Sequence, residues 1–362
     1  MVLSRARCDA CRGSWEVRRL RIYAGMLALL LLWLLPGMAM AEEAMSPLSV
    51  VKGHPLQPGD TIGIVAPATH SEDIALAPHL EALHAMGYKT CLAPSALHRY
   101  GYFAGTDSER ADDINACFRD NRIDAILCLN GGYGSARILD RLDYAMIAAH
   151  PKLLIGFSDI TALEAALYEK SHLVTLSGPL LITIPGSPYS SQQFRQAVTA
   201  SAPLGAVTMP AGRSLQTVLP GKASGRLIGG NLSVIASLAG TPYELKGKGC
   251  ILVLEDVGEE SYRIDRMMNQ LWQNGLLQQV EGIVYGDFTD CGHDPGDFTT
   301  DEVLTYYAKK AGKPAVRGLP FGHGTDKACL PIGAYSELDA RPDGTAQFAI
   351  KEAHTIQKDA SK

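Results

Sequence analysis

The chain has 362 residues, 46% hydrophobic and 20% charged, with a formal net charge of −5. That length allows about two domains, and the composition excludes a disordered or low-complexity protein. An acidic balance argues against a nucleic-acid partner, which leaves small-molecule or peptide enzymes and binding proteins.

Residues 1–41 stand apart from the rest. Arg18, Arg19 and Arg21 precede an apolar run over 26–35, Pro36-Gly37 breaks it, and Ala39-Met40-Ala41 follows before Glu42-Glu43. Basic, apolar, helix-breaking and A-x-A is the order of a secretory signal peptide. Its rival is an uncleaved inner-membrane anchor, because the apolar run barely reaches spanning length. Of the eight cysteines, Cys8 and Cys11 fall in this removable segment, and their C-x-x-C spacing has no second half to make a zinc site. Cys117, Cys128 and Cys250 sit in apolar patterns as buried thiols. Cys291 and Cys329 lie on loops, where an exported protein can pair them.

From 47 to 203 the pattern alternates strand and helix. A strand over 61–66, an amphipathic helix over 74–86, a strand over 89–92 and a helix over 107–118 come first. A strong strand over 123–129 runs into Asn130-Gly-Gly-Tyr-Gly-Ser-Ala-Arg137. After a short helix, a strand over 153–155 breaks at Gly156, Ser158 and Asp159 follow, and a helix begins; a strand over 173–176 completes the set. Repeated β-α units build a parallel sheet with helices on both faces. Ligands sit beyond the carboxyl ends of such strands, where Gly131-Gly132 and Ser158 fall.

The stretch 201–225 is rich in Gly, Pro, Ser and Thr, so a linker is expected at 204–224. Beyond it, 225–352 reads as a smaller, mixed α/β domain. A glycine-led helix over 229–239 precedes a strand over 249–256 that ends in Glu255-Asp256. Then come a helix over 262–276, a strand over 280–285, a helix over 300–311, and a tail of strand and turn holding Phe321-Gly-His323.

A serine at a glycine-hinged strand-to-helix corner has its hydroxyl pushed outward beside the free N–H groups of the helix start. Ser158 is therefore either a nucleophile or, with Asp159, a plain helix cap. A nucleophile needs a base, and among the ten histidines His293 and His323 are presented from loops. His323 lies between Gly322 and Gly324, which let the backbone turn tightly; the competing reading is an exposed loop histidine. A carboxylate must fix the imidazole tautomer, and Glu255 and Asp256, which point to opposite sides of one strand, are both candidates. The order Ser158, Glu255, His323 matches α/β-hydrolase triads. Backbone N–H groups of the Gly131–Gly134 turn, with those of Gly132, Tyr133 and Asp159 in view, can hold an oxyanion. A phosphate loop is disfavoured, since neither Lys-Ser/Thr nor G-x-G-x-x-G spacing is present. There is no H-E-x-x-H and no spaced Cys/His set, so neither a metal nor another cofactor is expected.

Five segments in order, Gly131-Gly-Tyr-Gly134, Ile155-Gly-Phe-Ser-Asp159, Gly229-Gly-Asn-Leu232, Leu252-Val-Leu-Glu-Asp256 and Phe321-Gly-His323, resemble the L,D-carboxypeptidase family. These are the muramoyltetrapeptide carboxypeptidases, to which the microcin C immunity peptidases are related. The resemblance spans 60–350. It implies a flavodoxin-like N-terminal domain, a smaller C-terminal domain and a likeness to homodimers. It also implies Ser158 as nucleophile, Glu255 as acid and His323 as base, which sets aside Asp256 and Ser135. The implied substrate is a murein tetrapeptide that loses its terminal D-alanine, cut after the L-centre of the diamino acid. Asn130 stands where the family often has arginine, so Asn130 and Arg137 are the candidates for the substrate carboxylate. The well-known members are cytoplasmic; the export signal and the periplasmic location of murein place this chain in the periplasm, free of the membrane once the signal is removed. Two alternatives stay open: an immunity-type serine peptidase cleaving a peptide–nucleotide antibiotic, and a non-catalytic periplasmic muropeptide-binding protein.

Overall fold

In the computed structural model, which describes residues 49–71 and 74–358, the alternating first half folds as a parallel sheet. The expected signal peptide at 1–41, with Cys8 and Cys11, lies outside the described residues. The strands are β1 (Thr61–Val65), β2 (Lys89–Leu92), β3 (Ala125–Cys128), β4 (Leu153–Gly156) and β5 (Thr175–Ser177). Their order, β2-β1-β3-β4-β5 and all parallel, is the flavodoxin-like one. β3 and β4 are buried at every position, as continuous apolar strands covered on both faces must be.

Among the described residues, five α-helices accompany these strands: α1 (Ala77–Ala85), α2 (Asp107–Arg119), α3 (Tyr144–Ala149), α4 (Thr161–Ser171) and α5 (Pro188–Thr199). α1 starts at 77 rather than 74 because Pro78 is tolerated only in a first turn. α2 opens with a capping box, in which Thr106 and Glu109 satisfy each other's backbone N–H groups; such a cap contributes about 1 kcal/mol.

The second half forms a mixed eight-stranded sheet. It contains β6 (Gly205–Ala206), β7 (Gln216–Leu219), β8 (Gly221–Asn231), β9 (Cys250–Val257), β10 (Gly282–Thr289), β11 (Ala315–Arg317), β13 (Tyr335–Ala340) and β14 (Ala346–Ile350). β8, β9, β10 and β11 run parallel at its centre, and antiparallel strands flank them. Its helices are α6 (Leu232–Leu238), α7 (Ser261–Gln273), α8 (Leu276–Gln279) and α9 (Thr300–Ala311).

Two sequence expectations change here, and the pairing left open for Cys291 and Cys329 is not made. The stretch 204–224 is more than a linker: it carries β6, β7 and the start of β8. Its Gly- and Pro-rich composition fits short edge strands separated by turns. Gly229-Gly-Asn is not helical but ends β8, because the parallel ladder with β9 continues to Asn231 opposite Glu255. Cys291 and Cys329 are both free thiols and form no bridge, and Cys329 is buried.

The two halves are stitched together. β12 (Leu330–Ile332) leaves the second half to pair antiparallel with β5. In the last stretch of the described chain, His354 and Thr355 bond the carbonyls of Ala197, in the last turn of α5, and of Ala200, just after it. One continuous apolar cluster joins Leu163 and Leu167 of α4 to Leu232 and Ile235 of α6 and Ile264 of α7, all buried. Each such side chain contributes about 1.5–3 kcal/mol, so the seam between the sheets is a packed core. No helix among the described residues is long and apolar enough to cross a membrane.

Candidate active site

The corner after β4 places Ser158 in the left-handed region, at φ 66°. For a non-glycine residue this costs on the order of 1–3 kcal/mol and persists only where the surroundings hold it. Neither Ser158 nor Asp159 caps α4, whose N-cap is Ile160 without a side-chain bond. Ser158 Oγ lies 3.0 Å from His323 Nε2, and Asp159 Oδ2 accepts the Ser135 N–H at 2.8 Å. The capping alternative is therefore corrected. Asp159 instead ties the serine corner to the end of the glycine turn.

His323 arrives on the loop between β11 and β12. Its Nδ1 lies 2.7 Å from Glu255 Oε2, and its ring rests on Phe157 with centroids 5.0 Å apart. Glu255, near the end of β9, is 1% exposed. A carboxylate so buried is costly unless its oxygens are hydrogen-bonded. Here Oε1 accepts from Asn231 Nδ2 at 3.1 Å while Oε2 faces the imidazole. Asn231 does more: its Nδ2 also reaches Asp256 Oδ1 at 3.0 Å, its Oδ1 caps α6 at the Val234 N–H, and its own N–H donates to Thr161 Oγ1 of α4.

Asp256 faces away from the imidazole and accepts the Ser233 and Val257 N–H groups. Burial, with the neighbouring Glu255 charge, pushes its carboxyl up to about 6 against those hydrogen bonds. His293 is an exposed loop residue with its ring on the Asp294 carbonyl. Among the described residues no group of three His, Cys, Asp or Glu side chains is arranged to hold a metal ion.

The glycine turn lies against the serine: a Cβ added to Gly131 would sit 3.5 Å from Ser158 Oγ. Asn130 Oδ1 accepts the Gly131 N–H at 2.8 Å. At Gly132, φ is +98° and a Cβ would meet Thr69 Oγ1 at 2.2 Å, so only glycine fits. The Tyr133 N–H donates to that same Thr69 Oγ1 at 3.1 Å. The Tyr133 N–H, expected among the oxyanion donors, is thus engaged by Thr69 after β1. The N–H groups of Gly132 and Asp159 have no acceptor among the described residues.

The two expected carboxylate binders are also engaged elsewhere. Asn130 closes its own turn. The Arg137 guanidinium pairs with Asp107 at 2.8 Å, a carboxylate it shares with Arg110, and lies over the Phe103 ring. Sequence reasoning passes over Asn231, Thr69, Phe157 and Lys327, whose ammonium lies 5.5 Å from the Phe157 ring centroid. Asn231 had a signal, since it closes the Gly229-Gly-Asn segment; Thr69 and Lys327 had none. A cavity of about 1010 Å³ lined by Tyr262, Arg266, Phe298, Tyr306 and Lys310 contains none of these residues.

A hydroxyl within hydrogen-bond reach of an imidazole, whose other nitrogen meets a buried carboxylate, is an arrangement able to activate the oxygen for attack on a carbonyl.

Known proteins share this arrangement of halves. Residues 62–178 match the LD-carboxypeptidase N-terminal domain, and 224–338 match the LD-carboxypeptidase C-terminal domain. The chain is 37% identical over 295 residues to the probable murein peptide carboxypeptidase of Bacillus subtilis, covering 78% of this chain and 90% of that protein. It is 34% identical over 285 residues to the murein tetrapeptide carboxypeptidase of Pseudomonas aeruginosa, covering 77% and 92%. Among solved structures, the wild-type apo form of the microcin C7 self-immunity protein MccF superposes with a TM-score of 0.78 at 26% identity, covering 84% of this chain and 99% of MccF.

Proposed function

The chain belongs to the LD-carboxypeptidase family of serine carboxypeptidases, and from that premise we propose that it releases the terminal D-alanine of murein tetrapeptides. The observation that carries the mechanism is the chain of contacts Ser158 Oγ to His323 Nε2 at 3.0 Å and His323 Nδ1 to Glu255 Oε2 at 2.7 Å. In this reading Ser158 attacks the peptide carbonyl while His323 takes its proton. The oxyanion forms beside the N–H groups of Gly132 and Asp159. His323 then protonates the leaving amine of D-alanine, an acyl-serine remains, and a water activated by His323 releases the tripeptide. Glu255 holds the tautomer and stabilises the imidazolium.

Incubating the purified chain with disaccharide tetrapeptide and following products by mass spectrometry tests this. The reading predicts D-alanine and the tripeptide in equal amounts; the absence of both sinks it. The likeness to MccF keeps a second reading in view, cleavage of a peptide–nucleotide antibiotic. A chain that cleaves such a conjugate and ignores the tetrapeptide has that function instead. A muropeptide-binding protein without catalysis would bind the tetrapeptide and leave it intact.

The proposal extends to location and assembly. The order of residues over 18–43 supports export to the periplasm with cleavage after Ala41, and the family resemblance supports a homodimer. N-terminal sequencing of the exported protein should begin at Glu42, and sedimentation should give twice the chain mass. An intact N-terminus held in the membrane, or a monomer, overturns the respective part.

A further inference from the structure

An enzyme that removes one terminal residue must recognise a free carboxylate, and three arginines, Arg137, Arg213 and Arg110, are each held in ion pairs with protein carboxylates. Arg137 is paired with Asp107 at 2.8 Å and Arg213 with Asp287 at 2.6 Å. Arg110 is buried on Asp107 and on the carbonyls of Pro67 and Gly134. Lys327 differs. No carboxylate oxygen among the described residues comes within ion-pair distance of its ammonium, which touches the Gly324 carbonyl and the face of Phe157. Phe157 immediately precedes Ser158 and carries the His323 ring on its other contacts.

The position is built rather than incidental. The Lys327 N–H donates to Ser190 Oγ at 2.9 Å, Ser190 Oγ reaches the Thr325 carbonyl, and Ser187 Oγ donates to Asp326 at 2.6 Å. The first turn of α5 thus fixes the loop running from His323 to Lys327. Burial lowers the Lys327 ammonium below the ordinary lysine range, against the attraction of Asp287, Glu255 and Asp326. A half-buried ammonium of this kind gains from an anionic partner.

The reaction direction indicates which anion. His323 protonates the leaving amine, so the leaving amino acid lies beside His323, and its carboxylate is one Cα from that amine. Resting on the tetrapeptide reading above, we propose that Lys327 binds the carboxylate of the departing D-alanine and is the residue that restricts cleavage to a free C-terminus.

The test compares kcat/KM for the tetrapeptide as free acid and as C-terminal amide, in wild type, Lys327→Met, Lys327→Gln and Lys327→Arg. Both substitutions remove a charged hydrogen bond, so Lys327→Met and Lys327→Gln should each lose about 10- to 150-fold on the acid. Both should leave the amide rate within about threefold, and Lys327→Arg should recover at least about tenfold of the loss on the acid. Gln keeps a donor for the Gly324 carbonyl, so it covers the case in which the Met variant does not fold. Equal losses on acid and amide, or no loss, overturn the assignment. A wild type that cleaves neither substrate fails the tetrapeptide reading itself, and the assignment falls with it.

Discussion

Gly322 and Glu255 lie so close that a Cβ on the glycine would be 2.4 Å from Glu255 Oε2, the oxygen that faces His323 Nδ1. The loop bearing the base is therefore pressed onto the strand bearing the acid, and the missing side chain is what lets them meet. Because φ at Gly322 is +112°, any other residue is also strained there.

Gly322→Ala should separate acid from base without unfolding the chain. We predict a fall in kcat on the order of 100-fold or more with KM nearly unchanged, and destabilisation of about 1–3 kcal/mol from the backbone strain. Steady-state kinetics with urea unfolding checks both. Full activity in the alanine variant would mean that the contact has no bearing on turnover.

Glu255→Gln keeps the shape and an acceptor for Asn231 but removes the charge that orients His323. By analogy with other triads kcat should drop on the order of 10⁴-fold. A variant within tenfold of wild type would show that Glu255 serves only as structural support for the Asn231 network.

Asp256 gives a pH-dependent prediction. Its carboxyl is raised by burial from 3.8 to about 6 in the folded chain, so the folded state holds the proton more tightly than the unfolded state. The native state is accordingly favoured at low pH, and that advantage is lost as pH rises from about 4 through 6 and is flat above. The shift corresponds to roughly 3 kcal/mol. Asp256→Asn has no proton to lose, so the stability of wild type relative to this variant should fall by that order between pH 4 and pH 7. Urea unfolding across that range measures it, and a difference that does not vary with pH contradicts it.

How far the sequence could be read follows from where each signal lies. Ser158, Glu255 and His323 stand beside glycines or at a strand end, where a local pattern marks the backbone turn. Asn231 and Thr69 act through bonds to Thr161 and Tyr133, 70 and 64 residues away, and no window of periodicity reports such distances. The same reason hides the partner of β12: the tail reads as strand from 330, but the choice of β5 belongs to the tertiary packing. α5 is a different case. Ser187 caps it and Pro188 opens it, signals that were present in the chain but sit outside any strong apolar run. Sequence proximity of Arg137 to the glycine turn likewise does not reveal Asp107, thirty residues earlier, as its partner.

The central claim is that Ser158 is the nucleophile. Its most direct test is the turnover of disaccharide tetrapeptide by Ser158→Ala, measured as D-alanine released per enzyme. Removing the hydroxyl should lower kcat on the order of 10⁶-fold while the tetrapeptide still binds and the thermal midpoint stays near that of wild type. A Ser158→Ala enzyme that releases D-alanine within tenfold of the wild-type rate would contradict the account.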